Sequence, residues 1–376
     1  MTSPNALRRS GAPTRLWHID LLKLVAANAI VLHHLSAYGP IADAVATAWP
    51  TVMAWLYNDA RMAVQVFLVV GGYLAARGLS RLQADSGLPP VRAMLQRYIR
   101  LVLPYLAALL LAVVGAALAR QWMTDEAIPD APELHQWLAH MVLLQDLLAH
   151  DALSAGVWYV AIDFQLFCVM VCLVWVGGWV GRRSGASRQA HTAQRITLAL
   201  VLGLMGASLF FFNRDDTWDV WALYFFGAYG LGAAAHWVAR SKHAGRCLML
   251  LALIGLVALW VDFRERIAIA LGVALLLGAV QARSRWQLGF NVWAERLARP
   301  LDGLLPTSYA LFLVHFPICL LGNALFVRLE GQGAVAGIAA LLGTWAVSVG
   351  LGVLFHHRVE RPLAAAVQRR SAAKAV

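Results

Sequence analysis

The chain has 376 residues, of which 60% are hydrophobic and 14% are charged, and its mean hydropathy is +0.64. Soluble domains have about 25% charged residues, so this composition excludes an ordinary soluble protein. The formal net charge is +11, but the basic residues separate apolar runs instead of clustering on one domain, which argues against nucleic-acid binding. We therefore expect an integral membrane protein that is all-α, because the apolar runs are long and continuous.

The apolar runs predict a polytopic protein with about ten transmembrane helices. The predicted spans are about 19–38, 62–80, 101–119, 157–180, 196–213, 220–239, 247–262, 266–282, 306–327 and 334–356. Most of the 31 lysines and arginines lie on the N-terminal side of the membrane, so the positive-inside rule predicts that both termini are cytoplasmic. We divide the chain into an N-terminal tail (1–18), a ten-helix membrane domain (19–356) and a basic C-terminal tail (357–376).

The first span is unusual because it carries Asp20, Lys23, His33 and His34. At about 100° per residue, Asp20, Lys23, His34 and Tyr38 share one face of the helix and His33 points away. Lys23 and His34 then lie roughly 16 Å apart along the axis. Ionisable groups inside a span usually face a protein interior and mark a functional path. The alternative is that Asp20 and Lys23 pair with each other at the cytoplasmic edge.

Polar residues also mark the next two spans. Arg61 and Gln65 are one turn apart at the outer end of the second span, and the glycine pair at 71–72 would allow another backbone to approach closely. Arg97 and Arg100 begin the third span on the cytoplasmic side. These two arginines either bind an anionic ligand or anchor the helix to the membrane surface.

Two further ionisable residues lie in later spans. Asp163 is near the outer end of the fourth span and could form a structural ion pair with Arg61. His315 is in the middle of the ninth span, where it is either a site residue or a core histidine bonded to a carbonyl group. Cys168 and Cys172 share a helix face, but no further ligand spacing supports a metal site, so we predict packing residues and no metal.

The longest outer connection, residues 120–156, begins with acidic residues. A helical repeat of apolar side chains follows and predicts an amphipathic helix lying on the outer interface; its members are Leu134, Trp137, Leu138, Met141, Leu144 and Leu148. No internal repeat is evident in the chain, which argues against the inverted-repeat architecture of many transporters.

Six strings stand in order along the chain between about residues 19 and 362. They are Asp20-Leu21-Leu22-Lys23 with His34 following after ten residues, VQVFLVVGGYL, RYIRLVLPY, WYVAIDFQLF, SYALFLVHFPI and Glu360-Arg361-Pro362. Together they resemble the type-3 family of membrane acyltransferases. The chain departs from the family pattern at four positions: Gln65 replaces an acid, Gly71 and Tyr159 replace serines, and Asp163 replaces a glutamate. These departures indicate a divergent branch of the family.

The resemblance implies transfer of an acyl group, acetyl by default, from cytoplasmic acetyl-CoA to a hydroxyl of an extracytoplasmic glycan or glycoconjugate. It places the protein in a bacterial cytoplasmic membrane. The expected partners are the lipid bilayer and the acceptor, and no metal is expected. The alternative function is a transporter or flippase of a lipid-linked sugar or acyl group. The acceptor's identity and the oligomeric state stay open.

The resemblance also gives expected roles to the polar residues. His34 would be the general base or a transient acyl carrier, Asp163 would orient its imidazole, and His315 would be a further catalytic residue. The remaining roles divide as follows: donor binding for Lys23, Arg97 and Arg100, acceptor binding for Arg61, Gln65 and Trp158, and structure for Asp20, Glu360 and Arg361. Glu360-Arg361-Pro362 would end the tenth helix and anchor it by an ion pair.

Overall fold

The computed structural model describes residues 15–84, 89–185, 188–282, 292–293 and 295–373, and this part of the chain contains helices and turns but no strand. The α-helices are α1 (Trp17–Ala37), α2 (Pro40–Ala46), α3 (Pro50–Asn58), α4 (Val64–Ala84), α5 (Pro90–Ala119), α6 (Leu134–Met141), α7 (Val157–Arg182), α8 (Gln189–Phe210), α9 (Ala222–Val238), α10 (Ala244–Val261), α11 (Glu265–Ala282), α12 (Ser308–Arg328), α13 (Gly333–Phe355) and α14 (Arg361–Ala373).

The all-α, polytopic prediction is confirmed. Nine helical segments among the described residues are long and apolar enough to cross a bilayer. The remaining predicted span corresponds to α9, whose 17 residues are apolar and almost all buried by neighbouring helices. The orientation of the termini stays a prediction, and five of the basic residues on which it rests lie outside the described residues: Arg8, Arg9, Arg283, Arg285 and Lys374.

Glycine residues allow α4 and α9 to pack with their backbones in contact. A Cβ atom at Gly72 would lie 1.9 Å from the carbonyl oxygen of Tyr229, and one at Gly232 would lie 1.9 Å from the carbonyl oxygen of Val69. Neither position can hold a larger residue without moving a helix. The prediction that the glycine pair in the second span permits close backbone approach is confirmed at Gly72.

The C-terminal end of α1 is fixed to α12 by one asparagine. Asn323 accepts a hydrogen bond from the backbone N–H of Ile41 at 3.0 Å and donates one to the carbonyl of Tyr38 at 3.2 Å. Gly39 makes the intervening turn with φ of 79°, a conformation that favours glycine. Side chains near the end of α1 therefore take positions set by α12.

The connection between α5 and α7 folds back along α5. Its helix α6 ends at Met141, well short of the predicted amphipathic helix, and Leu143 follows with φ of 59°. The hydroxyl of Tyr98 donates to the carbonyl of Met141 at 2.6 Å. Tyr98 lies roughly 31 Å along the helix axis from Ala119, the last residue of α5. The connection therefore packs along α5 instead of remaining at its end.

The prediction that Glu360-Arg361-Pro362 ends the last span is wrong. A π-helical turn at His356–Glu360 leads directly into α14, which begins at Arg361. The backbone N–H of Arg361 donates to the carbonyl of His356, so helical hydrogen bonding continues up to Pro362, which has no N–H of its own. Most of the predicted C-terminal tail is therefore helical.

Replacing Gly72 by alanine should destabilise the protein because the new methyl group would collide with the backbone of α9. Overpacking of this kind costs about 1–3 kcal/mol. Thermal unfolding in detergent should show the loss. Gly78→Ala is the matched control on the same helix, since a Cβ atom at Gly78 meets nothing within 4 Å. Equal melting temperatures for the two variants would contradict the close crossing of α4 and α9.

The α5–α7 connection should lose stability in mild acid because of His140, which is fully buried. Its Nε2 accepts a hydrogen bond from the backbone N–H of Leu153 at 3.2 Å, so its Nδ1 carries the proton and donates to the carbonyl of Gln136 at 2.8 Å. Burial lowers the pKa of His140 below its ordinary value of 6.5. The unfolded connection therefore binds a proton more readily, and stability present above pH 6.5 is lost as the pH falls.

Hydrogen exchange over residues 134–153 should report this loss. We expect protection in the wild type to fall between pH 7.5 and pH 5.5, relative to the same residues in His140→Gln, which cannot take up the proton. His135→Gln is the control, because the His135 side chain is 60% exposed. Identical pH profiles for the wild type and His140→Gln would show that His140 does not control the connection.

Candidate functional site

Two histidines from α1 and α12 form a stacked pair in the interior of the bundle. The ring centroids of His34 and His315 are 5.0 Å apart, and their planes differ by 28°. The ring of Tyr38 stacks near His34 at 5.5 Å and an angle of 7°. Both histidines are buried. Ring contacts with Tyr38 and His315 therefore hold the His34 imidazole.

Each of these imidazoles has a buried nitrogen without a hydrogen-bond partner among the described residues. His315 Nδ1 lies 2.7 Å from the carbonyl oxygen of Phe312. A carbonyl oxygen only accepts, so in the neutral ring Nδ1 carries the proton and Nε2 keeps a free lone pair. That Nε2 and the Nδ1 of His34 are the buried atoms without partners. Buried polar atoms nearly always have partners, so this pair is suited to a ligand.

His33, the neighbour of His34 in sequence, packs between His34 and α3, and its ring centroid lies 4.9 Å from that of His34. Its Nδ1 lies 3.3 Å from the carbonyl oxygen of Leu56, and its ring packs 5.9 Å from that of Tyr57. The helical-wheel prediction that His33 points away holds for its hydrogen-bond partner on α3 but not for its ring, which contacts that of His34. His33 is therefore a natural control for His34.

The second polar centre is an ion pair between α5 and α7. Arg97 Nη2 lies 2.5 Å from Asp163 Oδ2, and the side chain of Asp163 is only 9% exposed. The guanidinium also lies 5.5 Å from the centroid of the Phe167 ring. The Nε of Arg97 is buried and has no partner among the described residues, so one donor of this group is available to a further ligand.

This ion pair corrects two expectations for Asp163. Its carboxylate bonds to Arg97 and not to the imidazole of His34, so the structure does not bring those two residues together as an orienting pair. The alternative partner, Arg61, is also not bonded to it, because Arg61 Nε donates to the carbonyl of Asn58 at 3.0 Å. Helical periodicity could not distinguish these partners, since it does not show which helix each face meets.

Aromatic rings connect the histidine pair to the ion pair. The ring of Phe312 lies 6.0 Å from that of His315 and 5.5 Å from that of Tyr159. Phe67 contacts both Phe312 and Tyr159, at 6.4 Å and 5.9 Å. Tyr159 is one turn before Asp163 on α7. The two polar centres are thus separated by an apolar layer only a few rings thick.

The cations predicted to bind the donor do not form one cluster. Lys23 Nζ lies 3.2 Å from Asp20, which also pairs with Arg15 at 3.0 Å. The pairing of Asp20 with Lys23, which the sequence left open as an alternative, is therefore present. Arg100 is exposed, whereas Arg97 pairs with a carboxylate inside the bundle.

The residues predicted to bind the acceptor are also separated. Trp158 stacks on Phe225 with ring centroids 5.5 Å apart, Gln65 is buried, and Arg61 is exposed. Near the end of the last span, Glu360 pairs with His356 at 2.9 Å, while Arg361 is exposed. The roles of these residues stay predictions.

A cavity of about 600 Å³ lies where α5 and α12 end beside α2, and sequence reasoning missed it. Its wall includes Asp43, Arg120, Trp122 and Asp125. The sequence signal for this cavity was Trp122, which stands between polar residues directly after the third predicted span. It lies in the connection that begins with acidic residues. Which of these residues face one another depends on the turn after α5, which periodicity does not describe.

The sequence profile of the acyltransferase domain matches residues 16–356. This match covers nearly the whole chain and includes both histidines and the ion pair. The chain belongs to the acyltransferase type 3 family. No match was found among curated proteins or solved structures. The resemblance to the family is thereby confirmed, with five of the six strings inside the matched residues and Glu360-Arg361-Pro362 beyond them, and the protein is a multi-pass membrane acyltransferase.

The acyltransferase should depend on the Arg97–Asp163 pair for stability. Asp163→Asn removes the carboxylate and leaves a buried guanidinium without a counter-charge, which costs about 3 kcal/mol. The double variant Arg97→Gln/Asp163→Asn should recover part of that loss, because neither charge remains. Thermal unfolding of the purified protein measures both effects, and Arg100→Gln serves as the exposed control on α5. Strictly additive losses would show that the two side chains are not coupled.

Proposed function

We propose that the protein transfers an acyl group, acetyl by default, from cytoplasmic acetyl-CoA to a hydroxyl of an extracytoplasmic glycan or glycoconjugate. The observation that carries the proposal is the stacked pair of His34 and His315, with two buried nitrogens that lack partners. Membership of an acyltransferase family supports the reaction class. The family match does not name the donor, the acceptor or the acyl group, and these belong to the proposal.

A sugar hydroxyl is a poor nucleophile until a base accepts its proton. In the proposed step the hydroxyl oxygen attacks the thioester carbonyl carbon, a new C–O bond forms, and the C–S bond to CoA breaks. The hydroxyl proton passes to the free nitrogen of His34, and the released thiolate takes up a proton to complete the exchange. Neutral imidazole suits this task because it accepts and returns a proton near neutral pH.

The structure changes the expected partner of His34 in this step. His315 takes the place beside the imidazole that sequence reasoning gave to Asp163. Its orientation is fixed through the carbonyl of Phe312, so its Nε2 lone pair has a defined direction. We assign His315 to the same site as a second proton acceptor or hydrogen-bond acceptor for the incoming hydroxyl.

The donor side is assigned to Arg97, with Lys23 and Arg100 at the basic end of the bundle. CoA carries several phosphate charges, and guanidinium groups bind phosphate with several donors at once. The side chain of Arg97 is 32% exposed, although its partner carboxylate is buried. Its Nε has no partner among the described residues and can donate to another acceptor. Both termini would then face the cytoplasm of a bacterial cell, in agreement with the distribution of basic residues.

Replacing His34 by alanine should abolish acyl transfer while the protein still folds. We would measure incorporation of label from radiolabelled acetyl-CoA into envelope glycan, using membranes with equal amounts of wild type, His34→Ala, His315→Ala or His33→Ala. Loss of general-base catalysis lowers the rate by about 10²–10⁴-fold. We expect this loss for His34→Ala, a smaller loss for His315→Ala, and near wild-type transfer for His33→Ala.

Equal labelling by the His34 and His33 variants would remove His34 from the chemistry. Absence of labelling in the wild type, at good expression, would exclude acetyl transfer from acetyl-CoA to glycan and direct the search to another acyl donor. Acceptor export that requires the protein, with no acylated product, would favour the transporter alternative.

A further inference from the structure

The cavity near the outer end of the bundle has the dimensions of a binding site. Its volume of about 600 Å³ lies within the range of about 300–1,000 Å³ that is usual for small-ligand pockets. The wall comes from three places in the chain: the first turn of α2, the residues directly after α5, and the end of α12 at Val327. None of the residues predicted to bind the acceptor lines it.

The side chains in the wall combine one large aromatic ring with hydrogen-bonding groups. Trp122 is 40% exposed, and Asp43, Gln121, Thr124 and Asp125 supply acceptors and donors around it. A sugar ring has an apolar C–H face and a rim of hydroxyl groups, so it matches an indole surrounded by carboxylate, amide and hydroxyl oxygens. This combination favours a sugar over an apolar ligand.

Local hydrogen bonds hold parts of the wall in place before any ligand binds. Asp125 Oδ1 accepts from the backbone N–H of Ala127 at 2.8 Å, which fixes its carboxylate in a turn. The guanidinium of Arg120 donates to the carbonyl of Pro129. The backbone carbonyl of Asp43 accepts from Thr47, but its side chain makes no hydrogen bond or ion pair with the part of the chain that the structure describes. Its carboxylate is therefore available to accept from a ligand.

The charges in the wall favour an uncharged ligand. The wall holds two carboxylates and Arg120, and the guanidinium of Arg328 lies 5.9 Å from the centroid of the Trp122 ring, so positive and negative charges balance around the cavity. Carboxylates accept hydrogen bonds from neutral hydroxyl groups without a change of charge. A neutral, hydroxyl-rich sugar fits better than an acidic one.

The cavity adjoins the histidine pair through a thin apolar layer. Met123 from the cavity wall packs in the same cluster as Tyr38 and Phe316, and the rings of Tyr38 and Phe316 are 5.6 Å apart. Tyr38 in turn stacks near His34. Pro40, another residue of the wall, lies two residues after Tyr38 in the chain. A ligand in the cavity would thus be separated from the imidazoles by these side chains.

We infer that this cavity binds a neutral sugar ring of the acceptor, stacked on Trp122 and hydrogen-bonded to Asp43 and Asp125. The inference deepens the proposed function, on which it rests, by assigning the acceptor's chemical class and its binding site. The sugar unit in the cavity anchors the acceptor, and a neighbouring hydroxyl is presented toward His34.

The first test separates acceptor binding from the chemical step. In the membrane transfer assay, Trp122→Ala should raise the KM for envelope glycan about tenfold, with kcat and the KM for acetyl-CoA nearly unchanged. Trp122→Phe should restore much of the affinity because it keeps an aromatic face. Trp221→Ala, which removes a tryptophan 45% exposed elsewhere, is the matched control. An unchanged glycan KM in Trp122→Ala would overturn the inference.

The second test does not require acyl transfer. Thr124→Cys places a thiol in the cavity wall, and Asp219→Cys places one in an exposed segment after two further spans, on the same side of the membrane. A membrane-impermeant maleimide should label both in intact cells. Neutral envelope polysaccharide from the source organism, added to purified protein, should slow labelling at 124 and leave labelling at 219 unchanged.

The two tests distinguish failure of the site from failure of the proposed function. Protection at 124 without acyl transfer by the wild type would support the sugar site and reject the reaction. Transfer by the wild type with an unchanged glycan KM in Trp122→Ala and no protection at 124 would reject the site and keep the reaction. Stronger protection by an acidic polysaccharide than by a neutral one would overturn the assignment to an uncharged sugar.

Discussion

The ion pair between Arg97 and Asp163 is the constraint on which the interior of this acyltransferase depends. A charge inside a bilayer protein has little water to solvate it, so each partner requires the other. The pair fixes α5 against α7, and a Cβ atom at Gly71 on α4 would lie 3.5 Å from Asp163 Oδ1. A larger residue at Gly71 would crowd the carboxylate. The close approach of α4 to α9 follows at the adjacent Gly72.

Both polar centres keep a buried nitrogen without a partner among the described residues, Arg97 Nε in one and the imidazole nitrogens in the other, but they differ in charge. Asp163 has a strong partner, whereas His34 and His315 each retain a buried nitrogen without one. A neutral imidazole costs far less to bury than a charge, so the bundle can hold two unsatisfied imidazoles but not an unpaired carboxylate. Asp163 is therefore engaged by Arg97, whereas the two imidazoles keep nitrogens that no described residue engages. The aromatic layer of Phe67, Tyr159 and Phe312 keeps the two centres apart.

The sequence predicted the helices well and their contacts poorly. Apolar length identifies a span whatever packs against it, and the helical period placed His34 and Tyr38 on one face, where their rings stack. Neither property shows which helices meet, so the pairing of Asp163 with Arg97 was missed. The helix continues past Glu360 through a π-helical turn, which the sequence pattern around Pro362 did not indicate. The cavity around Trp122 depends on turn geometry after α5, which has no periodic signal.

The arrangement of the site explains how a membrane enzyme could avoid wasting its donor. A thioester that meets water at the base would be hydrolysed, so the base must be reached by the acceptor and not by bulk solvent. His34 is buried between Tyr38 and His315, and the side chains of Tyr38, Phe316 and Met123 separate it from the outer cavity. An acceptor anchored in that cavity would have to displace this thin layer to reach the imidazole. Binding of the acceptor and exposure of the base would then be one event, and transfer would require the sugar to be present.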